Sequence, residues 1–197
     1  MGVSLPFFAK LRVGAGAFLA LAVMMLVGEG SLIPCALIAA LFHELGHYAA
    51  VRLCGAEIRS VFVGFTGATM EYYGGTVGYG GEVAIALAGP VASLALAVIA
   101  SFIGREFALE VATELAGLSF VLCVFNLVPI RALDGGRALG AALSRFFPIA
   151  AARVMLVLSA ILTLTLLAVG AYLALTAFNV TLLGTAVVLA LMVIRER

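Results

Sequence analysis

Two histidines stand four residues apart with a glutamate directly after the first, in His43-Glu44-Leu45-Gly46-His47, and the chain has no other histidine. On a helix, positions i and i+4 share one face, so both imidazoles turn toward a common point. Paired imidazoles at that spacing suit a zinc ion. The glutamate beside the first ligand is placed to take a proton from a water that the ion activates. Gly46 removes bulk and lets another backbone approach. The pattern predicts metal-assisted hydrolysis, with His43 and His47 as ligands, Glu44 as general base and one zinc ion per chain. The same five-residue pattern arises by chance in helices that bind no metal. An acidic residue at a helix centre in lipid costs about 2.5 to 3.5 kcal/mol, however, and coordination is an economical compensation.

A catalytic zinc keeps three protein ligands and an open position, so a third ligand is required. The acidic candidates are Glu57, Glu71, Glu82 and Asp134, with Cys54 and Cys123 as outsiders. Asp134 has the better context, between Asn126-Leu127-Val128-Pro129 and the run Leu133-Asp134-Gly135-Gly136-Arg137. Pro129 has no N–H to donate and disrupts a helix, while Gly135 and Gly136 permit unusual backbone angles. A broken helix end there frees the Asp134 carboxylate to turn toward the metal. It also leaves the Asn126 amide for hydrogen bonding, so Asn126, Pro129 and Gly135 are expected to contact substrate or a developing oxyanion. Glu71 and Glu82 stay open as alternatives for the third ligand.

The elements that position these residues must be membrane helices. The 197 residues are 65% hydrophobic and 11% charged, with a mean hydropathy of +1.27, and stretches of roughly 20 apolar residues recur. Six spans are predicted, near 13–27, 33–53, 83–103, 111–130, 154–175 and 178–194, the last two as a helical hairpin. With both termini cytoplasmic, ten of the eleven basic residues fall on one side and only Arg105 opposite, as the retention of basic residues on the inner face requires. His43 then lies nine residues from Arg52, or roughly 13 Å at the rise of an α-helix, inside the cytoplasmic boundary. Lys10 and Arg12 before an apolar run resemble the start of a signal peptide, but no small-residue cleavage site follows, and a retained first helix is expected. Three cysteines form no C-x-x-C pair and read as apolar filler. The net charge of +1 gives no footprint for nucleic acid.

Residues 56 to 81 change character. Ile58, Ser60 and Phe62 alternate with Arg59, Val61 and Val63, and glycine then becomes dense. Short strands in a membrane-associated β-hairpin or re-entrant loop are predicted between the second and third spans. Such backbone survives at membrane depth only against protein or a water-filled cavity, so the loop is expected over the site. Ile58, Phe62, Gly64 and Phe65 would dock an extended substrate by edge pairing.

At these motifs the sequence resembles the site-2 protease family of intramembrane metalloproteases. The likeness rests on His43-Glu44-Leu45-Gly46-His47, on Ala88-Gly89-Pro90 at the third span, and on Asn126, Pro129 and Leu133-Asp134-Gly135-Gly136-Arg137. It covers roughly residues 40 to 140 and is closest to the short six-span form of the sporulation factor FB type. The chain departs from that pattern at Ser93, where an asparagine is common, and at Gly64-Phe65-Thr66-Gly67, in place of a Pro-Phe-Gly-Gly-like loop. The resemblance implies an all-α polytopic membrane protein with a small β element, folded as one domain over 1–197 (core 33–140, hairpin 150–197) without PDZ or CBS modules. It also implies cleavage of a membrane-tethered regulatory or transcription-factor precursor in the bilayer, with a regulatory membrane protein as a further partner and a bacterial cytoplasmic membrane as the location. A metal transporter and a non-catalytic membrane scaffold are the rival readings.

Overall fold

The computed structural model describes residues 11–14, 31–64, 67–74, 77–177 and 181–195. In chain order these form β1 (Leu11–Val13), α1 (Leu32–Leu53), β2 (Glu57–Gly64), β3 (Gly67–Tyr73), α2 (Tyr79–Phe107), α3 (Glu110–Asn126), α4 (Asp134–Phe146), α5 (Pro148–Ala177) and α6 (Thr181–Arg195). Two compact units divide them: Met1–Val77 with Ala88–Cys123, and Gly78–Leu87 with Val124–Arg197.

In the first unit, α1 is two-faced in the sense opposite to a soluble helix. Its buried residues are Cys35, Ala39, His43, His47 and Val51, a single ridge in steps of four. Leu37, Ile38, Leu41, Phe42 and Leu45 are exposed, as suits a helix whose surroundings are hydrocarbon. The Ser31 hydroxyl donates to the Glu114 carboxylate, and Cys35 Sγ lies 3.6 Å from the Val111 carbonyl. These two contacts bring the start of α1 against α3.

A Schellman turn ends α1. The N–H of Gly55 donates to Arg52 O and that of Ala56 to Val51 O, both at 3.1 Å, and Gly55 takes φ +73°, which glycine adopts without strain. The chain enters β2 at once, at the centre of a three-stranded sheet in the order β1-β2-β3. Strand β1 runs parallel to β2 with Arg12 opposite Phe62, and β3 runs antiparallel with Val61 opposite Met70.

Three expectations are corrected here. Leu11–Val13 form a strand, so the first span does not begin at Val13; the rest of that span, and Phe65, lie outside the described residues. The register shifts between Ile58 and Ser60. Because a strand alternates with period two, that bulge exchanges faces: Ile58 and Val61 are buried at 4% exposure while Phe62 is 47% exposed. Ile58 and Phe62 therefore do not share a face. Finally, β1 already pairs with Val61–Val63, so edge docking along that stretch of β2 is blocked. Among the described strands the outer edge of β3 has no ladder partner.

Cross-strand pairs hold the exposed face, where Ser60 donates to Glu71 at 2.9 Å and Tyr73 to Glu57 at 3.0 Å. The Glu57 carboxylate, as hydrogen-bond acceptor and as a nearby negative charge, holds the Tyr73 proton on and raises the phenol above its ordinary range.

Helix α3 does not reach Ile130 as predicted but ends at Asn126, because the residue before a proline avoids the α region and Pro129 is followed by a tight loop. A short helix, α4, then starts at Asp134 itself. Around the break, Ile130, Leu133, Leu189 and Val193 form a buried cluster joined by Phe125, Val128, Leu162 and Leu166. The predicted terminal hairpin is present: a Cβ on Gly170 of α5 would meet Leu183 Cα of α6 at 2.8 Å, so these helices touch through glycine.

Among the described residues, three helices, α1, α2 and residues Pro148–Thr176 of α5, are long and apolar enough to cross a membrane, and Leu182–Ile194 is a shorter apolar helix. The protein is an integral membrane protein, mostly helical with a small sheet.

Candidate metal centre

The ridge of α1 places His43 and His47 inward, 5% and 7% exposed, with their Nε2 atoms 3.2 Å apart and their rings edge-to-face at 77°. Two ligands of a tetrahedral zinc, each at 2.0–2.1 Å, stand about 3.3 Å apart by simple geometry, so the pair is spaced for one ion. Glu44, next along α1, is half-buried.

Helix α2 supplies the wall opposite. A Cβ on Gly89 would lie 2.2 Å from His47 Nε2 and 2.8 Å from His43 Nε2, and one on Gly46 would lie 2.4 Å from the Ala88 carbonyl. The two glycines therefore act in sequence. Gly46 lets the helices approach backbone to backbone, and Gly89 leaves the space in front of the imidazole nitrogens unfilled. Ser93, one turn beyond Gly89 and fully buried, lies 2.9 Å from His43 Nδ1. Ser93 was read in sequence only as a departure from a family pattern. Its spacing of four from Gly89 inside an apolar run was the available clue.

In the second unit the geometry of the broken helix explains the glycine pair. A Cβ on Gly135 would lie 2.1 Å from Leu127 O, and one on Gly136 would lie 2.0 Å from Ile130 O. Only glycine permits α4 to start so close to the preceding loop. The loop is held from α5, where the buried Ser159 hydroxyl accepts the Arg131 N–H at 2.9 Å and Ile130 is fully buried. Asp134 is 6% exposed, and Arg137, one turn on, lies 3.5 Å from its Oδ1. Asn126 and Pro129 are half-buried on either side of the break.

Among the described residues, the group of His, Cys, Asp and Glu able to hold a metal ion is His43, His47 and Asp134, one donor atom from each lying within 4.8 Å of the others. Two imidazoles and one carboxylate are the kind of donor set that a catalytic zinc takes. Glu71 and Glu82 stand outside this group and are exposed.

The chain superposes on the site-2 protease of Methanocaldococcus jannaschii with a TM-score of 0.74 at 21% identity, covering 94% of this chain and 89% of that one. In sequence it is 34% identical over 138 residues to Rip3 of Mycobacterium tuberculosis, which is named as a zinc metalloprotease. The fold is that of a site-2 protease. A second relative so named, sll0528 of Synechocystis, is 31% identical over 109 residues, or 49% of this chain. The match to Rip3 takes in 62% of this chain and 33% of Rip3, so the chain spans about a third of the length of the curated relatives it matches. No protein-family model matches it.

Proposed function

We propose that this protein is an intramembrane zinc metalloendopeptidase that hydrolyses a peptide bond in or beside a transmembrane segment. The observation that carries this reading is the buried group His43, His47 and Asp134 with Glu44 on the same helix. His43, His47 and Asp134 would hold one zinc ion. Bound there, zinc supplies Lewis acidity toward a carbonyl and lowers the pKa of water. Glu44 accepts the proton of the attacking water and returns it to the leaving amine. The Asn126 amide, at the end of α3, steadies the substrate backbone or the oxyanion, and the chain at Pro129 and Gly135 offers main-chain groups beside it. Burial keeps bulk water from the imidazoles.

The substrate proposed is a membrane-tethered regulatory or transcription-factor precursor whose helix unwinds locally before cleavage, with a regulatory membrane protein as a further partner. Strand pairing would hold the extended segment, and β3 offers the edge for it. The remaining topology is proposed likewise: six spans, both termini cytoplasmic, in a bacterial cytoplasmic membrane.

The experiment is a cleavage assay on a single-span peptide in detergent or vesicles, with zinc measured in parallel. Glu44→Gln should keep zinc and lose cleavage by about 10²-fold or more. A Glu44→Gln variant that cuts at the wild-type rate would reject the mechanism. A protein that moves zinc across a vesicle without cutting would establish the transporter reading instead.

A further inference from the structure

The mechanism above leaves one buried polar contact unused. Ser93 is completely buried in α2, and its Oγ lies 2.9 Å from His43 Nδ1, on the side of the ring away from the Nε2 that faces His47. A hydroxyl withdrawn from water inside an apolar helix costs free energy unless it is hydrogen-bonded, and this one bonds to His43.

We propose that Ser93 is the positioning residue of His43: its hydroxyl oxygen accepts the Nδ1–H, fixing the tautomer that leaves Nε2 unprotonated as a metal donor.

The chemistry permits one assignment for a neutral imidazole that binds metal through Nε2. Its proton must then sit on Nδ1, which becomes a donor and needs an acceptor. Ser93 Oγ, 2.9 Å away, is an acceptor within reach. Its own proton is free to rotate toward a carbonyl of the preceding turn of α2, the usual partner of a serine inside a helix. A ligating histidine held this way is fixed in ring orientation as well as in tautomer, and loss of such a partner typically costs 10- to 100-fold in metal affinity.

The arrangement also gives α2 a double role at one face. Gly89 and Ser93 are one turn apart. The first leaves room at the Nε2 atoms, and the second reads Nδ1 of the same His43 ring. A neutral hydroxyl, in contrast to a carboxylate partner, adds no negative charge to the ring. It therefore orients His43 while strengthening it as a donor less than a carboxylate would, and leaves the carboxylate of the set as the only anionic ligand.

This inference rests on the reading of His43 and His47 as zinc ligands, and its test separates the two. Zinc affinity is measured by competition with a chromophoric chelator for wild type, Ser93→Ala and Ser93→Thr, together with the visible spectrum of the cobalt-loaded proteins. Ser93→Ala is expected to weaken zinc 10- to 100-fold and to alter the cobalt spectrum, while Ser93→Thr, which keeps the hydroxyl, recovers at least part of both. Zinc affinity within twofold of wild type in Ser93→Ala, with an unchanged cobalt spectrum, would overturn the role of Ser93 alone. Failure of the wild type to bind zinc would overturn the metal centre itself. Should Ser93→Ala not fold, ¹⁵N spectra of histidine-labelled wild-type zinc protein decide: a protonated Nδ1 on His43 is expected, and an unprotonated Nδ1 rejects the proposal.

Discussion

A side-chain carbon on Gly89 would come within 2.2 Å of His47 Nε2, well inside any real contact. The glycine is therefore a spatial requirement of the imidazole pair and not a packing convenience of α2. Gly89→Ala is expected to lower bound zinc to a small fraction of one equivalent while the helices remain folded. Metal analysis of purified protein checks this, with Gly80→Ala as control, since a Cβ there meets nothing within 4 Å.

The choice of third ligand separates cleanly by substitution. Asp134→Ala should abolish stoichiometric zinc, because it removes the single carboxylate of the buried group. Glu71→Gln should leave zinc unchanged, since its carboxylate is exposed and occupied by Ser60. Zinc lost from Glu71→Gln but retained in Asp134→Ala would reverse the assignment.

The loop between α3 and α4 hangs on Ser159, whose buried hydroxyl accepts the Arg131 N–H. Ser159→Ala strands that donor, at a cost of about 1 to 3 kcal/mol. A lower thermal midpoint in detergent, with weaker zinc retention on heating, is the expected result. A Ser159→Ala protein as stable as wild type would show that the loop is held by its apolar cluster alone.

Gly136→Ala presses a methyl into the Ile130 carbonyl. Backbone cannot yield as a side chain does, so the start of α4 must shift, at a cost typical of overpacking, about 1 to 3 kcal/mol. Asp134 is carried on that first turn, and the expected outcome is loss of cleavage together with reduced zinc affinity, measured side by side. Gly140→Ala, whose nearest neighbour is the flexible Met155 side chain at 3.7 Å, should be close to neutral.

What the sequence discloses and what it hides divide along physical lines. The metal helix was predicted at 33–53 and runs Leu32–Leu53, because apolar length and a turn-forming glycine mark both ends. The pairing of His43 with His47 follows from helical periodicity alone. No helix is predicted over α4, since two glycines at its start argue against one. Their reason is the nearness of Leu127 O and Ile130 O, which no local pattern reveals. The faces of β2 were misread because a bulge at Arg59 leaves the alternating letters intact while reversing what they point at. Strand β1 is three residues long, too short to carry a period.

The single buried ridge of α1 has a consequence for how the helix settles in a bilayer. A cylinder that is apolar all round has no preferred azimuth, and packing alone must choose one. Here Leu41, Phe42 and Leu45 are exposed while the imidazoles are buried. Rotating α1 by half a turn about its axis would turn Leu41, Phe42 and Leu45 inward and leave two imidazoles facing acyl chains. The residues that make the helix chemically useful are thus also its rotational index, and the orientation of the ligand pair is set when the helix packs, before any ion arrives.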